Sequence, residues 1–515
     1  MKNFLLALLL LHTSASAQTI FENSWTSDLY ISISDVATDA QGNIYFACSA
    51  SEVNADSSTS VVVKTNSDFD IEWSKRYRTY LRDDLSSIEI LSDGNILLGG
   101  TIRQSFIVEQ GGSLIKIDPD GNVIWQRVYD GSFDQRVIRT AELPSGDIVS
   151  VIRYGVNDQP SSILITNFLG EVAAYYELFE GENAVQLNAV VRSNDNVFYA
   201  VGDMFDSELD RNLIFIAAFD ESEAIWLKKY DFGLPAQAGL MSINSNGEIA
   251  VCGLIVDPES IFNGFDGVTL VTNDLGEVIN ANRIYRQGNG FSESLSGIKL
   301  KDNGSLILSM NFFTEMGTVP LLNEFDSQGA LNWSVAVEYP TSTGLGYSLT
   351  LDDGRLLTTG RNDNGETLLN ILSAEGHPAC NGISLEFDME ALTPTVFTGD
   401  LEFDESNIVG FEPPTQTLDW PLVDNENCSG LVSTEDIDGE SNILIYPNPS
   451  TNRVIMQIPK GIDLLEIFSI EGKSILQKSI SPGIERVEIG ALHRDILILK
   501  FSGMGRTEFR RLLKL

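Results

Sequence analysis

Histidine is almost missing from this sequence. Of three, His12 lies in the N-terminal apolar stretch, His493 near the C-terminus, and only His377 falls near the body, just before Pro378. A Ser-His-Asp triad, an HExxH zinc motif and a two-histidine metal site are thereby excluded from most of the chain. Nor is there a GxSxG elbow, a P-loop or a GxGxxG turn after a strand. Positive charge is scarce: 33 Lys and Arg stand against 73 Asp and Glu, a formal net charge of −40. Such an excess repels nucleic acid and anionic headgroups and favours a soluble, monomeric body. Long apolar runs are absent as well. The one near the start, Phe4 to Leu11, follows Lys2 and precedes Ala15-Ser16-Ala17. It is too short to span a bilayer and reads as a signal peptide cleaved between Ala17 and Gln18. No later segment reads as a transmembrane helix.

Only four cysteines must be placed in an oxidising compartment. Cys48 and Cys252 sit inside apolar strand patterns and are expected as buried free thiols. Cys380 and Cys428 flank a segment of their own and are expected to form a disulfide, a closure contributing roughly 4 kcal/mol in the chain-entropy model.

What the sequence has in quantity is a repeat. The stretch SLIKIDPDGNVIWQRVYDGS, Ser113 to Ser132, alternates apolar and polar residues, turns at Asp120-Gly121-Asn122 and resumes, the pattern of a β-hairpin. An upstream turn line recurs at Gly42, Gly94, Gly146, Asn196, Gly247, Gly304 and Gly354, at spacings of 52, 52, 50, 51, 57 and 50 residues. A second turn falls at Phe69, Gly121, Gly170, Ser222, Gly276, Gly329 and Gly376. Four residues on stand Trp73, Trp125, Trp226 and Trp333 in four of the copies, with Tyr77, Tyr129 and Tyr230 four residues further. Glycine suits both turns because tight hairpins demand positive φ.

Each copy reads as four strands with no competing helical period. Seven such units must stack to bury their faces, and radial stacking gives a seven-bladed β-propeller over residues 18–379. The seventh copy stops at its second turn, whereas QTIFENSWTSDLY at the start has the order of a final strand. The expectation is that the N-terminal strand completes blade seven and closes the ring, removing both sheet edges. The repeated Trp residues are expected as packing, not as a ligand cage.

Residues 380–428, rich in Thr, Pro, Asp and Glu, are expected to form a disulfide-bounded β extension on the rim, followed by a linker over 429–440. From Ser441 to Leu515 the charge reverses, with 11 basic against 7 acidic residues. A shift of that kind marks a separate module.

The repeat resembles the divergent propeller repeats of secreted bacterial proteins of the type IX secretion pathway. The C-terminal segment resembles the type A sorting domain of that pathway, in Tyr446, Pro447, Asn448 and Pro449, in Gly472 and Lys473 of a strand turn, and in Arg510, Arg511 and Lys514 of a basic last strand. That resemblance implies a small Ig-like β-sandwich over 441–515. It also implies partners in the type IX secretion machinery and its surface peptidase, and a destination at the outer-membrane surface or in the medium after passage through the periplasm.

Chemistry is harder to place. The many acids are expected mainly as turn formers, and Asp118-Pro119-Asp120-Gly121-Asn122 lacks the closing Glu of a calcium loop. No metal, cofactor or catalytic residue is assigned. The loops entering each blade, among them Arg78 to Asp84 and Asp130 to Arg136, should converge on the channel. Asp130, Asp134 and Arg136 are the candidates for a polar ligand there. The leading expectation is a binding or adhesion module for an extracellular glycan or protein. The alternative is a polysaccharide hydrolase or lyase with a carboxylate pair in the channel, with a quinone-dependent dehydrogenase a weaker third.

Overall fold

The computed structural model describes residues 18–513 except 52–56, 104–109, 155–159, 257–263, 286–292, 338–344, 362–365, 375–381, 384–387, 433–442, 447–452, 490–495 and interruptions of three residues or fewer. The chain divides into two compact units.

The larger unit, Asn23–His377 with Gly382–Asn425, is an all-β propeller. Among the described residues its strands group into seven antiparallel meanders whose innermost members are Tyr30–Thr38, Arg82–Ile90, Gln135–Glu142, Gln186–Arg192, Ala236–Ile243, Glu293–Leu300 and Leu345–Thr350. These define blades one to seven. Each innermost strand neighbours the next, and Tyr30–Thr38 neighbours Leu345–Thr350, so the ring is closed. Blade seven takes its fourth strand from Gln18–Thr26, beside Thr367–Leu372. From that strand Trp25, buried, meets the edge of Phe46 in blade one at 4.9 Å between ring centroids.

The turns follow the glycine line. Gly121 and Gly170 have φ of +77° and +74°, and a Cβ at either would lie about 3 Å from the Trp ring of the preceding blade, Trp73 or Trp125. Glycine is therefore required twice over, for backbone sign and for clearance. Asn196, Ser222 and Gly376 lie outside the described residues. Phe69 holds the same place with φ of +68° despite its side chain.

Apolar residues pack between blades. Val149, Val151 and Ile163 of blade three share one cluster with Phe198, Phe215 and Phe219 of blade four. The repeated Trp and Tyr are the staples across these joints. Tyr77, Tyr129 and Tyr230 donate their hydroxyls to the carbonyls of Gly121, Gly170 and Gly276 in the next blade, at 2.8, 2.7 and 2.8 Å. Trp73 and Trp125 donate Nε1 to Pro119 and Phe168 of the same turns. Where blade five has Asn280 and Asn282 instead, their amides reach Ser327 and Gly329. Trp73 and Trp226 are only half-buried, each lying under a cation two residues on, Lys75 and Lys228. Burial raises the Tyr77, Tyr129 and Tyr230 hydroxyls far above the ordinary tyrosine range, so they stay donors.

The segment after blade seven forms a belt. Gly382–Ile383, Asp388–Ala391, Thr395–Gly399, Glu402–Glu405, Val409–Phe411, Gln416–Asp419 and Val423–Val432 pair in turn with the outer strands of blades six, five, four, three, two, one and seven. Every blade thus carries a fifth strand, laid in descending blade order until the last step. With a twist of roughly 20–25° per strand, the fifth strand lies nearly perpendicular to the first and so runs along the circumference. Charge complements the pairing: Arg283 meets Glu390 and Arg127 meets Glu412. Trp420, buried, accepts Arg76 over its ring and donates its backbone N–H to Ser74 O at 2.9 Å. The acidic segment therefore covers edges that would otherwise invite pairing with other chains.

The smaller unit contains two sheets, one ordered Leu444–Tyr446, Arg453–Ile458, Gly483–Glu488 and the other Ser474–Ser479, Leu464–Ser469, Ile496–Gly503, Arg506–Leu513. Met456 and Val487 of the first share a core with Leu465, Leu499 and Phe501 of the second, which makes it a β-sandwich.

Candidate binding site in the propeller channel

Every innermost strand carries a one-residue bulge at an equivalent position: Ser34, Ser86, Ile138, Asn188, Gly239, Ser296 and Gly346. Each lies eight residues before the first-turn residue of its blade, so the bulge belongs to the repeat. A bulge re-aims its side chain. Ser34, Ser86, Ile138, Asn188 and Gly239 all line a cavity of about 730 Å³ bounded by the innermost strands. Mostly small or polar residues at this position leave room along the axis.

The wall is hydroxylated and cationic. Ser32, Ser49, Ser51 and Ser58 contribute from blade one, and Arg82, Arg136, Arg139 and Arg153 from blades two and three. Asp84 is the only carboxylate among the described lining residues, and Arg82 Nε holds it at 2.6 Å. Arg139 donates to Ser86 O at 2.8 Å and lies 3.6 Å from Asp35. Arg153 donates to Asn188 Oδ1 at 2.8 Å, and the Asn188 amide donates to Asp203 at 2.9 Å. Burial pushes the Asp203 carboxyl up. Beside the cavity, Asp83 is buried and its carboxyl is raised to about 6, chiefly by burial and against a hydrogen bond from Thr79 N–H.

The three expected ligand residues stand in different surroundings. Asp130 ends an outer strand, where its backbone pairs with Val409 of the belt. Asp134 lies 3.9 Å from Arg103. Arg136 is exposed on the channel wall. The residues missed were the bulge ring, which aligning the copies on their first turn would have put in register, and Arg82, Arg139 and Arg153 near it. The Asp118 loop is a turn: its Oδ1 accepts from Asp120 N–H and Asn122 N–H at 3.0 and 2.8 Å. Despite the cost of partial burial, these bonds hold the Asp118 carboxyl below its usual range. Among the described residues no acid, histidine and cysteine cluster suits a metal. Cys48 and Cys252 are buried free thiols.

Of the other expected positions, Ala17, Cys380, Pro447, Asn448, Pro449, Gly472 and Lys514 lie outside the described residues. Gln18 opens the first strand, Cys428 falls in Val423–Val432 and Tyr446 ends Leu444–Tyr446. Lys473 is exposed, and Arg510 and Arg511 pair by backbone with Leu499 and Ile498.

A propeller followed by a sandwich tail is thus the class of protein the strands define. Residues 444–513 match the secretion system C-terminal sorting domain. The chain therefore carries a type IX sorting tail, which marks it for that machinery and for export to the cell surface or release. No curated protein matches the sequence. Among solved structures, the chain is similar to the β-propeller domain of the Trilobed protease from Pyrococcus furiosus, at 12% identity over 67% of this chain and 94% of that one, with a TM-score of 0.41. It is also similar to PorZ, a surface component of the type IX system of Porphyromonas gingivalis, at 11% identity over 94% and 81% of the two chains and a TM-score of 0.31. A third is an α-L-arabinanase of Penicillium chrysogenum, at 10% identity over 70% and 99%, with a TM-score of 0.40. Among the described residues no helix is long and apolar enough to cross a membrane.

Proposed function

We propose that the protein is a non-enzymatic binding module that works outside the cell, with the propeller channel as its ligand site. The observation that carries this reading is the composition of the channel wall. A glycosidase needs two carboxyl groups roughly 5–9 Å apart, whereas the described wall offers hydroxyls, four guanidinium groups and one carboxylate already engaged by Arg82. That favours holding a polar ligand over cleaving one.

The route follows from the ends of the chain. A signal peptide ending at Ala17 takes it to the periplasm. The tail over 441–515, reached by the expected linker 429–440, whose first four residues are taken up in the belt strand Val423–Val432, then takes it through the outer membrane, and a surface peptidase removes the tail. A Cys380–Cys428 disulfide would tie the two ends of the belt. In support, Cys380 stands two residues before the belt strand on blade six, and Cys428 lies in the belt strand on the adjacent blade seven.

The test is a glycan array on the mature protein together with surface fractionation of a form truncated after Glu440. Retention of the truncated form in the periplasm, with array binding by the mature protein, is the expected outcome. Normal arrival of the truncated form in the medium would overturn the sorting role, and hydrolysis of an array glycan would overturn the non-enzymatic reading.

A further inference from the structure

The channel wall of blade three contains an electrostatic conflict. Arg136 and Arg153 stand directly opposite each other on neighbouring antiparallel strands, and both line the cavity. Like charges in cross-strand register destabilise a sheet. Blade two has the same arrangement, Arg82 opposite Arg103, and there it is relieved, because Asp84 holds Arg82 and Asp134 lies near Arg103. In blade three only Arg153 is relieved, through Asn188 to Asp203. Arg136 is exposed on the wall and has no carboxylate within ion-pair distance among the described residues. A chain with a net charge of −40 has acids in surplus, yet none of the described ones is placed here.

We propose that the Arg136–Arg153 pair is the anchor for the anionic group of an acidic saccharide, a uronate or sulfated sugar, bound in the channel. This deepens the binding-module reading and rests on it. A carboxylate or sulfate between the two guanidinium groups would convert the repulsion into two charge-assisted contacts, and the planar donor fork of arginine matches such oxyanions bidentately. The rest of the wall suits the rest of such a ligand. Ser32, Ser34, Ser49, Ser51 and Ser58 carry hydroxyls that complement sugar hydroxyls. The volume of about 730 Å³ is of the size that holds a short oligosaccharide. The low-dielectric rim of the propeller would concentrate the field of the arginines at the mouth and draw an anion inward.

The experiment is calorimetric titration of the full mature chain with oligogalacturonate, with a neutral galacto-oligosaccharide of equal length, and with inorganic sulfate. It is repeated on R136Q and R153Q, with thermal unfolding of each variant in the presence and absence of sulfate. The expected result is binding of oligogalacturonate that weakens with added salt and falls roughly tenfold or more in R136Q. The neutral sugar should not bind, and sulfate should raise the unfolding temperature of the wild type more than that of R136Q. Because Arg136 is exposed and faces a like charge, R136Q should fold at least as stably as the wild type, so lost binding is not lost structure. If the neutral sugar binds equally, or R136Q binds oligogalacturonate as well as the wild type, the anion anchor is refuted while the binding module stands. If sulfate alone binds and no saccharide does, the saccharide assignment fails. If nothing binds in the channel, both fail.

Discussion

Two glycines in blade three allow the staples between blades to be weighed. Gly146 and Gly170 both turn with positive φ, +84° and +74°, and both donate their N–H to the residue three back, Leu143 and Asn167. They differ in surroundings. A Cβ at Gly146 would meet nothing within 4 Å, whereas at Gly170 it would lie 2.9 Å from Trp125 Cζ3 and 3.0 Å from Arg127 Cγ. Gly146→Ala should therefore cost only the backbone strain of a left-handed residue, about 1–2 kcal/mol. Gly170→Ala should cost that and a forced shift of the Trp125 ring, a further ~1–3 kcal/mol. The Tyr129 hydroxyl adds a coupling, since Tyr129→Phe alone should cost about 1 kcal/mol by leaving the Gly170 carbonyl without its donor. The double change Gly170→Ala with Tyr129→Phe should cost less than the sum, because the shift already loosens that bond. Urea unfolding followed by tryptophan fluorescence reads all four variants. Equal losses for Gly146→Ala and Gly170→Ala would refute the claim that the close approach of neighbouring blades, and not the turn alone, demands glycine at the second turn.

Other outcomes follow from the same geometry. Asp83 keeps its proton to about pH 6 in the folded chain and to about pH 4 when unfolded. Its contribution is thus complete below pH 4 and is lost as pH rises through 6, up to about 3 kcal/mol. The urea midpoint of the wild type should fall relative to that of Asp83→Asn over pH 4–6 and the two should run parallel above; parallel curves throughout would contradict the burial effect. Trp420→Ala removes the buried anchor of the belt on blade one and should cost about 3–5 kcal/mol. Limited proteolysis should then cut first between Gln416 and Val423, and cleavage elsewhere would show that the belt is held by other contacts. Arg127→Ala should lose more through the bare Trp125 ring than through Glu412, so Glu412→Ala should change stability by under about 1 kcal/mol.

The blades were legible because their punctuation is chemical. A residue needing positive φ recurs every fifty or so positions, and glycine is the residue that supplies it at least cost. The N-terminal completion of blade seven was legible from a strand missing at one end and surplus at the other. A β extension on the rim was expected over 380–428, but its strand-by-strand pairing was not legible, because strands of two to five residues such as Gly382–Ile383 and Glu402–Glu405 leave no alternation to read, and their partners include Val337, 45 residues before Gly382, and Arg78, 338 residues before Gln416. Of the three loop candidates, Arg136 lines the channel, whereas Asp130 ends an outer strand paired with the belt. The bulge ring was concealed for a different reason. Ser34, Ser86, Ile138, Asn188 and Gly239 share a backbone irregularity and no side-chain type.

The belt runs against the order in which the blades are made, reaching the sixth first and the seventh last. Each of its strands pairs with a rim strand that lies earlier in the chain. The sorting tail follows from residue 444. Without the belt the propeller would offer seven outer-strand edges of unpaired backbone to neighbouring chains, and with it each of those edges is taken.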